Sequence, residues 1–346
     1  MRKSGGCDKK RNAIMKPVMP LRIFFLGLYL ALLGTSAAVA EKARFELKGR
    51  VLLAEERPIR GILPEIRLEG IRFPFLRRTL ARPDGTFKFK KIPASTYQLT
   101  ISALGWGEMR RTLEVGPGTA DARRQVEVNY VFEPSRRAGS AATVSTTQLS
   151  VKTDALEHYS RALKRLEKED SAGAIKHLEK AVEISPHFSS AWNHLGTIAY
   201  MSRQHARAQQ CFDKALEHAP DSYPALVNLG ATLLALGKLE EALVTNARAV
   251  SLRAEEPLAR SQLGLCYLRL GRPQEAEEQL KLAKKLDPGH FSGPQIALAE
   301  IYRRRRDFAA VAAEIEEFLR YHPDSPRTAQ LQKRLQVTRD MLRQKQ

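Results

Sequence analysis

The chain is short of the residues that carry chemistry. It has three cysteines and eight histidines in 346 residues. No two histidines stand in an HExxH arrangement or at any other metal-ligand spacing, which excludes a helix-borne zinc site on pattern. "VGPG" at 115–118 lacks a following Lys-Ser/Thr and does not open a helical pattern, so there is no phosphate-cradling loop. No Gly-x-Ser-x-Gly elbow occurs. Aromatics make up only 7%, and no basic run is interleaved with them, so nucleic acid is not an expected partner. The longest apolar run falls short of the roughly 20 residues a spanning helix needs. The expectation is a protein that is not an enzyme and uses no cofactor or metal.

Acidic residues are also scarce: 38 Asp and Glu stand against 57 Lys and Arg, a net charge of +19. Residues 1–40 hold six of that excess, 41–150 hold eight, and the much longer 151–346 hold five. The C-terminal half is therefore close to balance. A basic excess concentrated elsewhere suits an anionic surface or an acidic glycan.

At this length there is room for two or three domains with cores of their own. The first 40 residues read as an export signal. Lys9, Lys10, Arg11, Lys16 and Arg22 precede the apolar "IFFLGLYLALLG", and Ala38 and Ala40 occupy the small-residue positions of a cleavage site before Glu41. Met15 and Met19 are alternative starts. A cleaved signal is favoured over an uncleaved inner-membrane anchor, and Cys7 leaves with it. Cys211 and Cys266 fall in predicted helices with about two whole helices between them. At roughly 8–10 Å per packed helix, they exceed the about 7 Å a disulfide allows between Cα atoms. Both read as small buried hydrophobes.

Residues 153–324 repeat themselves. "AWNHLGTIAY", "ALVNLGATLL" and "ARSQLGLCYL" recur at a 34-residue step that sets Gly196, Gly230 and Gly264 in register. Ala174, Ala208, Ala242 and Ala276 follow, then Ala181, Ala215, Ala249 and Ala283. Each unit reads as two amphipathic helices joined by a polar turn, and Pro186, Pro220 and Pro288 end the second helix. Small residues let the two helices approach. The pattern resembles the tetratricopeptide repeat, matched by Trp192, Leu195, Gly196, Ala208, Phe212, Ala215 and Pro220, and again by Leu263, Gly264, Tyr267, Ala276, Leu280, Ala283 and Pro288. About five units are expected, with 325–346 as a polar capping helix. The resemblance implies an all-α right-handed superhelical solenoid.

Residues 41–134 alternate apolar and polar positions in short stretches such as "FELKGRVLL", "TFKFKKI" and "QVEVNYVF", the signature of an all-β sandwich. Asp84, Gly85, Phe87, Phe89, Ile92, Pro93, Ala94, Tyr97, Leu99, Gly105 and Trp106 resemble the carboxypeptidase regulatory-like domain, a transthyretin-like sandwich; Ser95 departs from that family's usual glycine. The resemblance implies an accessory, non-catalytic module. A Ser/Thr/Ala/Gly-rich linker (135–152) joins it to the repeats.

In the repeat family the first helix of each unit lines a concave groove for peptides. Carried over by register, the candidate partner-binding residues are Asn193, His194, Thr197 and Met201, then Asn228, then Gln262 and Arg269. Asn and Gln can bond both groups of a bound backbone. Of the run Arg303–Arg306, Arg303 and Arg304 face the groove and could anchor an acid. Together these features describe an exported bacterial scaffold of the periplasm or cell envelope that binds protein or peptide partners. The alternative is an envelope-surface or glycan binder acting through the basic sandwich, with the repeats as spacer. If the signal is processed as read, N-terminal sequencing of the exported protein returns a chain beginning at Glu41; an intact apolar segment would show a retained anchor.

Overall fold

The computed structural model describes residues 43–53, 63–71, 73, 75–103, 107–132 and 151–344, and from Arg44 onward they belong to one compact unit. The export signal at 1–40, the linker at 135–150, and Gly105 and Trp106 of the β motif lie outside the described residues.

Seven strands form two sheets: β1 (Arg44–Leu53), β2 (Glu65–Gly70), β3 (Leu76–Leu80), β4 (Thr86–Pro93), β5 (Ser95–Ala103), β6 (Gly107–Val115) and β7 (Gln125–Phe132). One sheet has the order β4-β1-β7, with β1 and β7 parallel; the other has β3-β2-β5-β6, antiparallel throughout. Period-two alternation sends Phe45, Leu47, Val51, Phe87 and Phe89 to the buried side of the first sheet, and Ile66, Leu68, Tyr97, Leu99 and Ile101 to that of the second. The turn before β4 is built as its sequence requires. The Asp84 carboxylate accepts the Thr86 N–H at 3.0 Å and its hydroxyl at 2.7 Å. Gly85 has φ 78°, and a Cβ there would meet the Val51 carbonyl.

Among the described residues eleven helices follow: α1 (Thr153–Leu166), α2 (Ser171–Ile184), α3 (Ser189–Met201), α4 (His205–His218), α5 (Tyr223–Leu236), α6 (Leu239–Leu252), α7 (Pro257–Arg269), α8 (Pro273–Leu286), α9 (Pro294–Arg304), α10 (Phe308–Tyr321) and α11 (Thr328–Arg343). They pack as consecutive hairpins in a solenoid-like array. Asp170 and Asp307 cap α2 and α10 by accepting the N–H of Gly173 and Ala310. The in-register glycines set the hairpin spacing: a Cβ on Gly196 would lie 2.6 Å from the Phe212 ring, and one on Gly264 would lie 2.7 Å from Leu280. Cys211 and Cys266 are buried and unpaired in α4 and α7, and burial pushes both thiols up.

The outer face of the β3-β2-β5-β6 sheet lies against this array. Strand register places Arg67, Leu76, Arg78, Thr96, Thr100, Arg110, Thr112 and Glu114 on that face, opposite to the Tyr97 side. Thr96 and Thr100 are only 8% and 2% exposed, so β5 is covered on both sides. Leu76 enters the apolar cluster of α1–α3 with Val151, Ala155 and Leu195; burying a leucine contributes about 1.5–3 kcal/mol. Arg78 pairs with Glu167 at 3.5 Å, and Arg110 reaches Glu256, just before α7, at 3.8 Å. Further along, the Phe291 N–H donates to the Thr112 hydroxyl, and Glu114 meets His322 Nδ1 at 3.0 Å with both side chains buried. The Gly118 N–H donates to the Asp324 carboxylate. The sheet thus touches the array from its first hairpin to the turn before α11.

His194 sits under this cover. Its ring lies 5.5 Å from that of Tyr159, and burial, with the Arg67 charge added, pushes its imidazole down to about 4. A neutral, half-buried histidine of this kind supports the fold above its free value and weakens it as pH falls below that value, because only the unfolded chain then takes up the proton. Two outcomes are expected. NMR titration of His194 gives a midpoint of about 4; a midpoint near the free value of about 6.5 would show that the sheet does not lie on the array. Gly196→Val lowers the urea-unfolding free energy by about 1–3 kcal/mol through overpacking against Phe212, and Phe212→Leu in the same chain recovers part of that loss.

Candidate functional site

The first helices of successive hairpins, α3, α5, α7 and α9, carry the residues singled out by register. Their N-terminal halves and the preceding turns are where the sheet rests. Their C-terminal halves end in Met201, Ala235, Arg269 and Arg303, one every 34 residues, of which the last three are exposed and Met201 is half-buried.

The polar residues divide accordingly. The Asn228 amide donates to Asn193 Oδ1 at 3.1 Å and to the Thr197 hydroxyl at 3.3 Å, and that hydroxyl also donates to the Asn193 carbonyl. Asn193, Thr197 and Asn228 therefore form one half-buried network bridging α3 and α5. The three side chains are thereby held in place relative to one another. Gln262 is only 7% exposed, and its Oε1 has no hydrogen-bond partner among the described residues. It lies inside the structure rather than on a groove floor. The Arg269 guanidinium donates to the Leu234 carbonyl at 2.6 Å, so it ties α7 to the C-terminal end of α5, where a cation is favoured.

Arg303 and Arg304 are engaged locally. Both donate to Glu300, one turn earlier on α9, and Arg334 approaches the same carboxylate at 3.4 Å. The hydrogen bond from Arg303, then that from Arg304, holds the Glu300 carboxyl down at about 2. Two arginines that already share one acid are weak anchors for another.

Sequence spacing gave no sign of the seam residues. Tyr223 lies beneath Arg253, with the guanidinium 4.8 Å from its ring, and is close enough to Glu256 and Arg110 for their charges to act on it. Arg253, Glu256, His322 and Asp324 occupy turns, and Tyr223 a helix start, whose identity the repeat pattern leaves free. One signal was present: β4 puts lysines on its outward face, whereas β5 puts threonines there, as a covered face requires. The fold also brings His158 Nδ1 within 3.2 Å of His177 Nδ1 from a separation of 19 positions. Among the described residues no group of three His, Cys, Asp or Glu could hold a metal ion, and no helix is long and apolar enough to cross a membrane.

Comparison with known proteins bears on the array. Models of the tetratricopeptide repeat match residues 165–229, 199–261 and 257–290. The STIP1 homolog of Dictyostelium discoideum is 33% identical over 93 residues, 27% of this chain and 16% of that protein. The CTR9 homolog of Arabidopsis thaliana is 31% identical over 127 residues, 36% of this chain and 12% of that protein. The chain thus spans under a fifth of either relative. Among solved structures, MamA from Desulfovibrio magneticus RS-1 superposes with a TM-score of 0.46 at 19% identity, covering 51% of this chain and 99% of that one. The 34-residue register, the paired helices and the matching models converge: residues 165–290 of this chain are tetratricopeptide repeats.

Proposed function

We propose that the protein is an exported, non-catalytic scaffold of a bacterial cell envelope, which holds protein or peptide partners on the first-helix face of its repeats. Tetratricopeptide repeats are protein–protein interaction modules, and what this chain adds is the arrangement of that face. The observation that carries the reading is the Asn193–Thr197–Asn228 network, which stands beside the row of Met201, Ala235 and Arg269. It offers a bound backbone fixed donors and acceptors, and it offers side chains a mixed apolar and cationic edge. His194 and Gln262 support it from within. The β domain, read as a carboxypeptidase regulatory-like accessory module, walls the opposite half of the same helices. Export rests on the basic-then-apolar N-terminal pattern ending at Ala40.

The test is capture by crosslinking and pull-down from the native envelope, comparing the wild type with an N228A/M201E/R269E variant. Partner recovery is expected to fall at least tenfold, while far-UV circular dichroism stays close to wild type and the unfolding midpoint drops only by the lost Asn228 and Arg269 hydrogen bonds. Equal recovery from a folded variant would remove this face as the binding site. The three substitutions avoid Leu, Gly and Ala positions of the repeat, so lost packing is a minor contribution.

A further inference from the structure

The two-sheet β domain has two outer faces with different chemistry. That of β3-β2-β5-β6 is spent on the array. That of β4-β1-β7 carries Lys88 and Lys90 on β4 and Lys48 and Arg50 on β1, with Lys48 directly opposite Lys88. All but Lys48 are exposed. Like charges facing each other across strands are destabilising. Among the described residues none of the four is in an ion pair; Lys48 donates only to the neutral Gln125 amide, at 2.6 Å. Charges on the array are treated differently. There Arg207 pairs with Glu179, Arg248 with Asp221, Arg305 with Glu277, and Lys284 with both Glu314 and Glu317.

A backbone irregularity adds a fifth cation. Pairing slips between Phe45 and Leu47, so that Lys90 and Lys91 together oppose Glu46. Lys91 has φ 56°, a conformation that costs a lysine energy and is usual for glycine. Bulges of this kind re-aim side chains at strand edges, and here both lysines are exposed. Glu46 and Glu127 are the acids on the same face.

We infer that the outer face of β4-β1-β7 docks on an anionic lipid surface through Lys48, Arg50, Lys88, Lys90 and Lys91. The five cations share one side of one sheet, so they can meet a plane of charge together. No aromatic residue stands among them to stack on a sugar or a base, which is what glycan or single-stranded nucleic-acid recognition would use. Long flexible side chains on a flat face suit a headgroup layer, where only summed charge matters. With the opposite sheet face against the repeats, docking would leave the first-helix ends turned to other partners.

The test is sedimentation of the full chain with vesicles rich in phosphatidylglycerol, against pure phosphatidylcholine vesicles. The N-terminal apolar run acts on both, and the basic residues of 1–40 act equally in every variant, so comparing variants on the anionic vesicles reads the charges of this face. Each substitution in the series K48Q, R50Q, K88Q, K90Q is expected to weaken binding to the anionic vesicles by about fivefold, with no change on neutral ones. Lys91→Gly separates stability from binding: it relieves the backbone, so it should raise the unfolding midpoint yet weaken anionic binding. E46Q/E127Q should strengthen it. Anionic binding unchanged in the quadruple variant would overturn the proposal. So would capture on immobilised heparin without binding to vesicles, which would assign the face to acidic glycans instead.

Discussion

A β-sheet that is covered on both sides has to find a second apolar or polar partner, and in this protein the partner is the helical array. Much else depends on that contact. It places Leu76 in the apolar cluster of the first hairpins, leaves His194 half-buried, and lodges the Glu114–His322 pair where neither side chain is solvated. The interface is long and mostly polar. Its strength comes from many matched contacts distributed over successive hairpins rather than from one apolar plug. Polar groups buried in this way are expensive unless partnered, and among the described residues the seam leaves Glu114 Oε2 and His322 Nε2 buried without a hydrogen-bond partner beside the contacts that are made.

The array can serve as a fixed support because its hairpins are closely packed. Gly196 against Phe212 and Gly264 against Leu280 let the two helices of a unit approach to ring and methyl contact. The same step of 34 residues brings equivalent side chains into a straight row, which is how a repeat fold converts a local packing rule into an extended surface. On that surface the sheet takes the N-terminal halves of the first helices and leaves the C-terminal halves free. One half of the first-helix face is thus held in cis while the other stays uncovered by the sheet.

The architecture was readable from the residues. Glycines and alanines at fixed spacing, with prolines after the second helices, predict the hairpins because those residue types answer steric demands that any neighbour would impose. The alternation of Phe87 and Phe89 with Lys88 and Lys90 predicts which side of β4 is buried for the same reason. The candidate site was legible only in part. Asn193, Thr197 and Asn228 do meet, because α3 and α5 pack side by side and bring positions 31 and 35 residues apart within hydrogen-bond reach. Gln262, at the Asn228 position one unit later, is buried, and repeat spacing alone gives no sign of that. Arg303 and Arg304, which look like free cations in sequence, are both bound to Glu300. A run of four arginines draws attention, and a single glutamate three residues earlier does not.

The sequence by itself determined the order of a strand-rich segment and a helical repeat, six of the seven strands (the short β3, Leu76–Leu80, carries no clear alternation), and which side chains form the two kinds of core. These are short-range matters, governed by periodicity and by the volume of individual residues. Only the tertiary structure decided that one sheet of the β domain lies on the repeats, that the outer face of the other sheet carries cations in no ion pair among the described residues, and that His194 is a half-buried ring beside Tyr159. Those outcomes depend on residues such as Arg67, Leu76, Glu114, Tyr159 and His322, which are far apart in the chain. No spacing rule links them, and they become neighbours only when two separately formed surfaces prove complementary.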